Sequence, residues 1–442
     1  MDPFISGRDL AAAIRDGRIS SLAATDFYIN RIERLDGLTN LVVVRLFDAA
    51  RERAREADAA LLAGRPLWGP LHGVPMTIKE NYSIKGVVAT CGMEIFTTLG
   101  DDGGTYRSDI NSGVVQRLLD AGAIFLGKTN LPEQAADYQS YNDVYGTSRN
   151  PWNLEHSPGG SSGGSAGAIA AGFSPLEVGS DIGGSIRTPA HFSGVCGHKP
   201  TQGVIDKSGW CPPYPFSRYQ EDLAVAGPLC RTCDDLELMM DLLAGPEPER
   251  AVGGWRLELP PARVKDIRDL RVAVWLDDET CRVDQAYVEE IRRTAESLAR
   301  AGASVDYDAR PVFEESESGA EFFETSLDIY YSVLGPSMAL RGVDPRVQSR
   351  RLMLKRSWEA FWQSGFDVLL CPVAPSAALK IDESGGIAGM ADRRVTVDGE
   401  EREYVRGGVS VFCFLSSVFC FLSSVFYVLL TVFLSHFVQY RC

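Results

Sequence analysis

Residues 157–201 read SPGGSSGGSAGAIAAGFSPLEVGSDIGGSIRTPAHFSGVCGHKPT. Glycine carries no Cβ, so repeated glycines let the backbone approach a ligand closely and let N–H groups converge. A Walker-type phosphate cradle needs Lys-Ser/Thr after its second glycine, and a dinucleotide fingerprint needs Gly-x-Gly-x-x-Gly; neither spacing occurs in this stretch. Gly159–Gly163 does satisfy Gly-x-Ser-x-Gly, but a nucleophile elbow must follow a buried strand. Residues 150–158, NPWNLEHSP, hold two prolines and no apolar run. Without an elbow, His191 and His198 read as local hydrogen-bonding partners rather than bases. A flexible Gly/Ser linker does not fit either, because Ala166–Ala171 is a small-residue helix suited to close packing and Leu176–Gly179 a short strand.

Outward from this stretch the chain alternates strand and helix. Val74–Lys79 is strand-like after a Gly/Pro turn. Val114, Val115, Leu118 and Leu119 stripe a helix closed by Gly122, and Ala123–Leu126 follows as a buried strand. The unit recurs in strand Leu270–Trp275, a helix striped by Val288, Ile291, Ala295 and Leu298, and strand Ala303–Tyr307. Val368–Leu370 is a further buried strand. This rhythm predicts an α/β fold with a mixed, largely parallel central sheet flanked by helices. Ahead of it, Ser6 caps a first helix that ends at Gly17, Ser20 or Ser21 starts a second that stops before Gly37, and Ala49–Ala63 forms a third.

The 442 residues carry 44 Lys+Arg against 59 Asp+Glu, a net charge of −15. That balance excludes a protein built mainly to bind nucleic acid, since nothing offsets phosphate repulsion. Of ten cysteines only Cys230 and Cys233 have Cys-x-x-Cys spacing, with neither a second pair for zinc nor a preceding thioredoxin-like strand. No metal site is expected, and reduced thiols suit a cytoplasmic location. Residues 1–6 have no basic or apolar segment, so no signal peptide is read.

Gly159–Ser165, Asp181–Arg187 and Gly197–Thr201, with Gly73–Asn81 and Gly127–Glu133 upstream, closely resemble the amidase signature family over roughly residues 7 to 380. The resemblance implies an amidase-signature fold and a Ser-Ser-Lys acyl-transfer site without a cofactor. Ser185 matches the nucleophile, Ser161 the bridging serine reached through a cis peptide bond, and Lys79 the base. The N–H groups of Ile182, Gly183, Gly184 and Ser185 match the oxyanion hole. A serine hydroxyl is inert until a base takes its proton, and a lysine can be that base only when neutral. A serine between them can relay the proton, a variant of triad logic. Asp181 and Arg187 read as an ion pair bracing the loop, Ser162 and Ser165 as structural, and Lys128 and Lys199 receive no chemical role.

The function implied is hydrolysis of a small-molecule carboxylic amide to an acid and ammonia or an amine. The alternatives are an amidotransferase A-type subunit that releases ammonia from glutamine for a partner, and an inactive truncated relative. A homo-oligomer is compatible with either enzyme reading. The amidase domain is assigned to residues 1–405. From Ile381 to Arg406 no counterpart of the family's C-terminal strands is recognisable. Residues 406–442 form a separate tail in which Ser410–Ser416 and Ser417–Ser423 both read SVFCFLS, and Gly407–Tyr440 holds no charged side chain. The 409–438 segment is long enough to span a bilayer, which takes roughly 20 apolar residues. The tail is therefore either a membrane anchor or the product of an altered reading frame, and the copied heptad favours the second.

Overall fold

The computed structural model describes residues 1–210, 223–247, 251–259, 261–277, 282–312 and 344–404. The 406–442 tail lies outside the described residues, and with it the 409–438 segment read as a bilayer span. Among the described residues no helix is long and apolar enough to cross a membrane.

Three helices open the chain: α1 (Gly7–Arg15), α2 (Ser21–Thr39) and α3 (Phe47–Leu62). Ser6 and Ser20 cap the first two, their hydroxyls accepting from the N–H groups of Asp9 and Ala23. Helix α2 runs on through Gly37 and stops at Asn40, which takes the left-handed conformation at φ 51°. One glycine costs a helix interior about 1 kcal/mol, which the buried face of Tyr28, Ile29 and Ile32 outweighs.

Strand β1 (Val42–Arg45) precedes α3; β2 (Pro75–Lys79), α4 (Gly113–Asp120) and β3 (Ile124–Thr129) then form the expected strand–helix–strand unit. Strands β2 and β3 pair in parallel from Pro75↔Ile124 to Lys79↔Thr129, and β1 adds antiparallel to β3. Every residue of β2 and β3 is buried, as a sheet covered on both faces requires. Helix α5 (Gly163–Ala170) leads into β4 (Leu176–Asp181), and α6 (Arg187–Ser193) into β5 (Cys196–Gly197). Strand β6 (Val225–Cys230) pairs antiparallel with both β4 and β5 and continues into α7 (Cys233–Leu243). The main core joins α1, α2, β2, α4, β3, β4 and α7 through Leu10, Ile29, Ile78, Leu118, Leu126, Val178 and Met239.

The second strand–helix–strand unit is β7 (Arg271–Val274), α8 (Gln285–Arg300) and β8 (Ser304–Asp306). Strand β9 (Val368–Leu370), preceded by α9 (Pro345–Gln363), pairs parallel on the other side of β7. The sheets are thus mixed: parallel at β2–β3 and around β7, antiparallel at β1–β3 and β4–β6–β5. The segment after Ile381 forms strands all the same, a hairpin of β10 (Arg394–Val397) and β11 (Glu400–Glu403). Asp398 and Gly399 turn it with φ of 49° and 82°, the geometry that Asp-Gly favours in a two-residue hairpin.

Candidate active site

Strand β2 ends at Lys79, which is fully buried. Side chains two apart share a strand face, so Lys79 and Thr77 point the same way, toward the start of α5. There Lys79 Nζ donates to Ser161 Oγ at 2.7 Å, Ser180 Oγ at 2.9 Å and Ser162 Oγ at 3.0 Å. Asn81 Nδ2 also donates to Ser180 Oγ at 3.2 Å, and Ser162 Oγ donates to the Ser180 carbonyl at 3.2 Å. Lys79 and Ser161, predicted to work together, are in direct contact. Ser162 and Ser180 are further partners of the lysine, with no such role legible in the motifs. Ser180 sits in β4, a strand packed beside β2, and no sequence motif marks it as a partner of the lysine.

The peptide bond between Gly160 and Ser161 is cis, as the resemblance implied. Gly160 is required by close approach: a Cβ there would lie 2.4 Å from the Asp137 carbonyl oxygen. Ser185 lies beside this serine pair, since the Ser162 N–H donates to the Ser185 carbonyl at 3.1 Å. No hydrogen bond among the described residues joins the Ser161 and Ser185 hydroxyls directly.

The loop from β4 to α6 is organised by Asp181. Arg187 clamps its carboxylate with two bonds, Nη2 to Oδ1 at 2.7 Å and Nε to Oδ2 at 3.0 Å. Burial pushes this carboxyl up, but the adjacent guanidinium outweighs it and holds Asp181 well below the usual carboxylate range. The expected bracing pair is therefore present, buried on both sides. The same carboxylate accepts from Gly184 N at 2.9 Å and from Ile186 N at 2.9 Å. Of the four N–H groups expected to line an oxyanion hole, that of Gly184 is thus committed to Asp181. The N–H groups of Ile182, Gly183 and Ser185 donate to no protein group among the described residues. The reason is local: at φ 116°, Gly184 folds the loop back over the carboxylate, a conformation that a Cβ would strain.

His191 is buried, its Nε2 2.9 Å from the Ser376 carbonyl oxygen, and burial lowers its pKa to about 4. Burial, then the neighbouring Lys199, likewise lowers His198 to about 4. The three hydrogen bonds from Lys79 to serines involve neither histidine. Lys128, given no chemistry above, pairs with Glu80 at 3.3 Å with both side chains fully buried. Glu80 also accepts from the N–H groups of Thr90 and Cys91 at 2.8 Å each, so this pair ties down the loop after β2.

The sequence profile of the Amidase family matches residues 23–327, more than half of the chain. The A-type subunit of glutamyl-tRNA(Gln) amidotransferase from Halorhodospira halophila is 40% identical over 237 residues, 54% of this chain but only 46% of that protein. The chain thus spans about half the length of this relative. The corresponding subunit from Moorella thermoacetica is 30% identical over 440 residues, covering 87% of this chain and 84% of its own. Among solved structures, fatty acid amide hydrolase superposes with a TM-score of 0.71 at 26% identity, covering 87% of this chain and 70% of that one. With profile, sequence and backbone in agreement, the chain belongs to the amidase signature family.

Proposed function

We propose that this protein hydrolyses a carboxylic amide through an acyl-serine intermediate, with Ser185 as nucleophile, Ser161 as proton relay and Lys79 as base. The observation that carries this reading is the buried Lys79 amine 2.7 Å from Ser161 Oγ. Burial disfavours the ammonium form. A neutral amine keeps two N–H donors, which Ser162 and Ser180 can accept, and one lone pair aimed at the Ser161 proton. In the proposed reaction Ser161 passes its proton to Lys79 Nζ while taking the proton of Ser185 Oγ. Ser185 Oγ then attacks the amide carbonyl, and the oxygen gathers negative charge at the N–H groups of Ile182, Gly183 and Ser185. One such donor is typically worth about 2.7–4 kcal/mol. Collapse of the tetrahedral adduct sends the proton back through Ser161 to the departing nitrogen. Water then releases the acid by the reverse sequence, and no step needs a cofactor. The unit doing this is residues 1–405, acting in the cytoplasm, with 406–442 as an appended tail.

A serine-directed fluorophosphonate tests the assignment. Wild-type protein should label at Ser185 and Ser185→Ala should not, while His191→Ala and His198→Ala should still label. Lys79→Ala should slow labelling by about a hundredfold or more. A histidine variant as inert as Ser185→Ala would overturn the reading, and failure of the wild type to label would favour an inactive relative.

The second reading is an amidotransferase A-type subunit, favoured by relatives of that name at 30% and 40% identity. Ammonia released from glutamine, together with co-purifying partner chains, would select it. Turnover of simple amides by the isolated chain would select the hydrolase.

A further inference from the structure

Glu177 is fully buried in β4, and the mechanism above does not use it. Its carboxyl oxygens contact hydroxyls rather than cations. Thr77 Oγ1 in β2 makes a short bond to Oε2, Thr129 Oγ1 in β3 lies 3.3 Å from Oε1, and the Ser165 hydroxyl in α5 is a third partner. Thr129 and Ser165 are themselves joined at 2.9 Å. Among the described residues no ion pair reaches Glu177, although Glu80 and Asp181 nearby each have one. Ser162 touches Lys79 and Ser165 touches Glu177. Ser162 immediately precedes α5 and Ser165 lies in its first turn. Thr77, which holds the carboxyl, shares its strand face with Lys79. The carboxyl and the amine therefore occupy the same layer between the sheet and α5.

We propose that Glu177 is a positioning residue for Lys79: its uncharged carboxyl ties β2, β3, β4 and α5 together through hydroxyls without setting an anion beside the amine, and its ionisation switches the base off. This rests on the Lys79–Ser161–Ser185 reading and adds a residue to it. Burial is the largest influence on the acid, pushing it up to about 8, with the hydroxyl bonds acting the other way. The titratable neighbours are few. Lys79 and Tyr82 stand at the end of β2 and just beyond it, and Cys230 lies in β6. Lys128 of β3 is paired with Glu80, and Asp181 at the end of β4 with Arg187. Helix α5, of sequence GGSAGAIA, has no ionisable side chain. Both Tyr82 and Cys230 are pushed above their ordinary values, chiefly by burial, so both stay neutral across the range where Glu177 titrates. A carboxylate formed there stabilises the ammonium of Lys79, which removes the lone pair that Ser161 needs.

The test is the rate of fluorophosphonate labelling of the full chain from about pH 5 to about pH 10, in wild type, Glu177→Gln and Lys79→Ala. Glutamine keeps the acceptor and the shape but cannot ionise. Wild type should rise with pH and then fall around pH 8, and Glu177→Gln should lose the fall. An alkaline limb unmoved in Glu177→Gln, with Lys79→Ala inert, overturns the role of Glu177 alone. Lys79→Ala labelling at the wild-type rate overturns the base reading itself. A folded Glu177→Gln that labels at no pH overturns the proposal as well, because an amide should replace a neutral acid. If the variant does not fold, infrared titration of the wild type decides. A buried protonated-carboxyl stretch should disappear with a midpoint near about 8, and its absence at neutral pH overturns the proposal.

Discussion

Asp181 is a buried carboxylate that stays charged because Arg187 and two loop N–H groups satisfy it. Removing one partner of such a pair leaves the other charge buried and typically costs about 3–5 kcal/mol. Arg187→Met should therefore lower the denaturation midpoint sharply and abolish labelling of Ser185, since the loop carrying that serine is wrapped around the carboxylate. Chemical denaturation and probe labelling on the same sample check both halves. Glu177 runs the opposite way. Its folded pKa is raised to about 8, while an unfolded glutamate ionises near 4.3. The unfolded chain therefore loses its proton first, and stability falls as pH rises from about 4.3 toward about 8. Glu177→Gln removes that loss. It should be about as stable as wild type at pH 4 and more stable, by about 1 kcal/mol or more, at pH 8. Thermal melts at the two pH values read the difference.

The β10–β11 hairpin shows an element placed by contacts distant in sequence. Arg393, just before it, donates to Asp137 Oδ2 at 2.7 Å through Nη1 and to Tyr141 OH at 2.6 Å. Tyr404, just after it, donates to Asp137 Oδ1 at 2.6 Å. Asp137 thus anchors both ends of the hairpin, and Asp137–Gln139 is the backbone that Gly160 packs against. The hairpin is in this way braced against the Gly160–Ser161 turn. Arg393→Met should cost about 3 kcal/mol or more and slow labelling of Ser185, whereas Arg394→Met, on the exposed side of β10, should change neither. Equal effects of the two variants would break the link between hairpin and site.

For the molecule as a whole, acid sensitivity and the tail are the testable features. His191 is held neutral with a folded pKa of about 4 against 6.5 for a free histidine. Its contribution is complete above about pH 6.5 and is lost as pH falls toward about 4, up to about 3 kcal/mol. His191→Gln should flatten the pH dependence of stability between those values. Residues 407–442 contain an uncharged, β-prone repeat of the kind that aggregates. Truncation after residue 406 should raise solubility without lowering the labelling rate. Loss of folding on truncation would show that the tail is part of the folded unit, and detergent-sensitive flotation of the full chain with membranes would identify it as an anchor.

Local chemistry made part of this protein readable from its sequence. Ser6 and Ser20 announce helix starts because a hydroxyl can accept from an N–H three residues ahead. Val368–Leu370 reads as a strand from its apolar run alone. The family resemblance, not local chemistry, implied Lys79, Ser161 and Ser185, and the fold brings Lys79 onto Ser161 and Ser185 beside the serine pair. What the sequence left open depends on groups far apart in the chain. The strands after Ile381 are not recognisable in the sequence, because the hairpin is placed by groups far away in the chain: Asp137 and Gln139 at Tyr404, and Asp284 at its Asp398 turn. The resemblance makes Gly184 an oxyanion donor, whereas its N–H ends on Asp181 across the loop. Glu177 looked like any strand residue. Its charge state is set by burial among hydroxyls from three other elements, and burial is a property of the packed molecule, not of the residue.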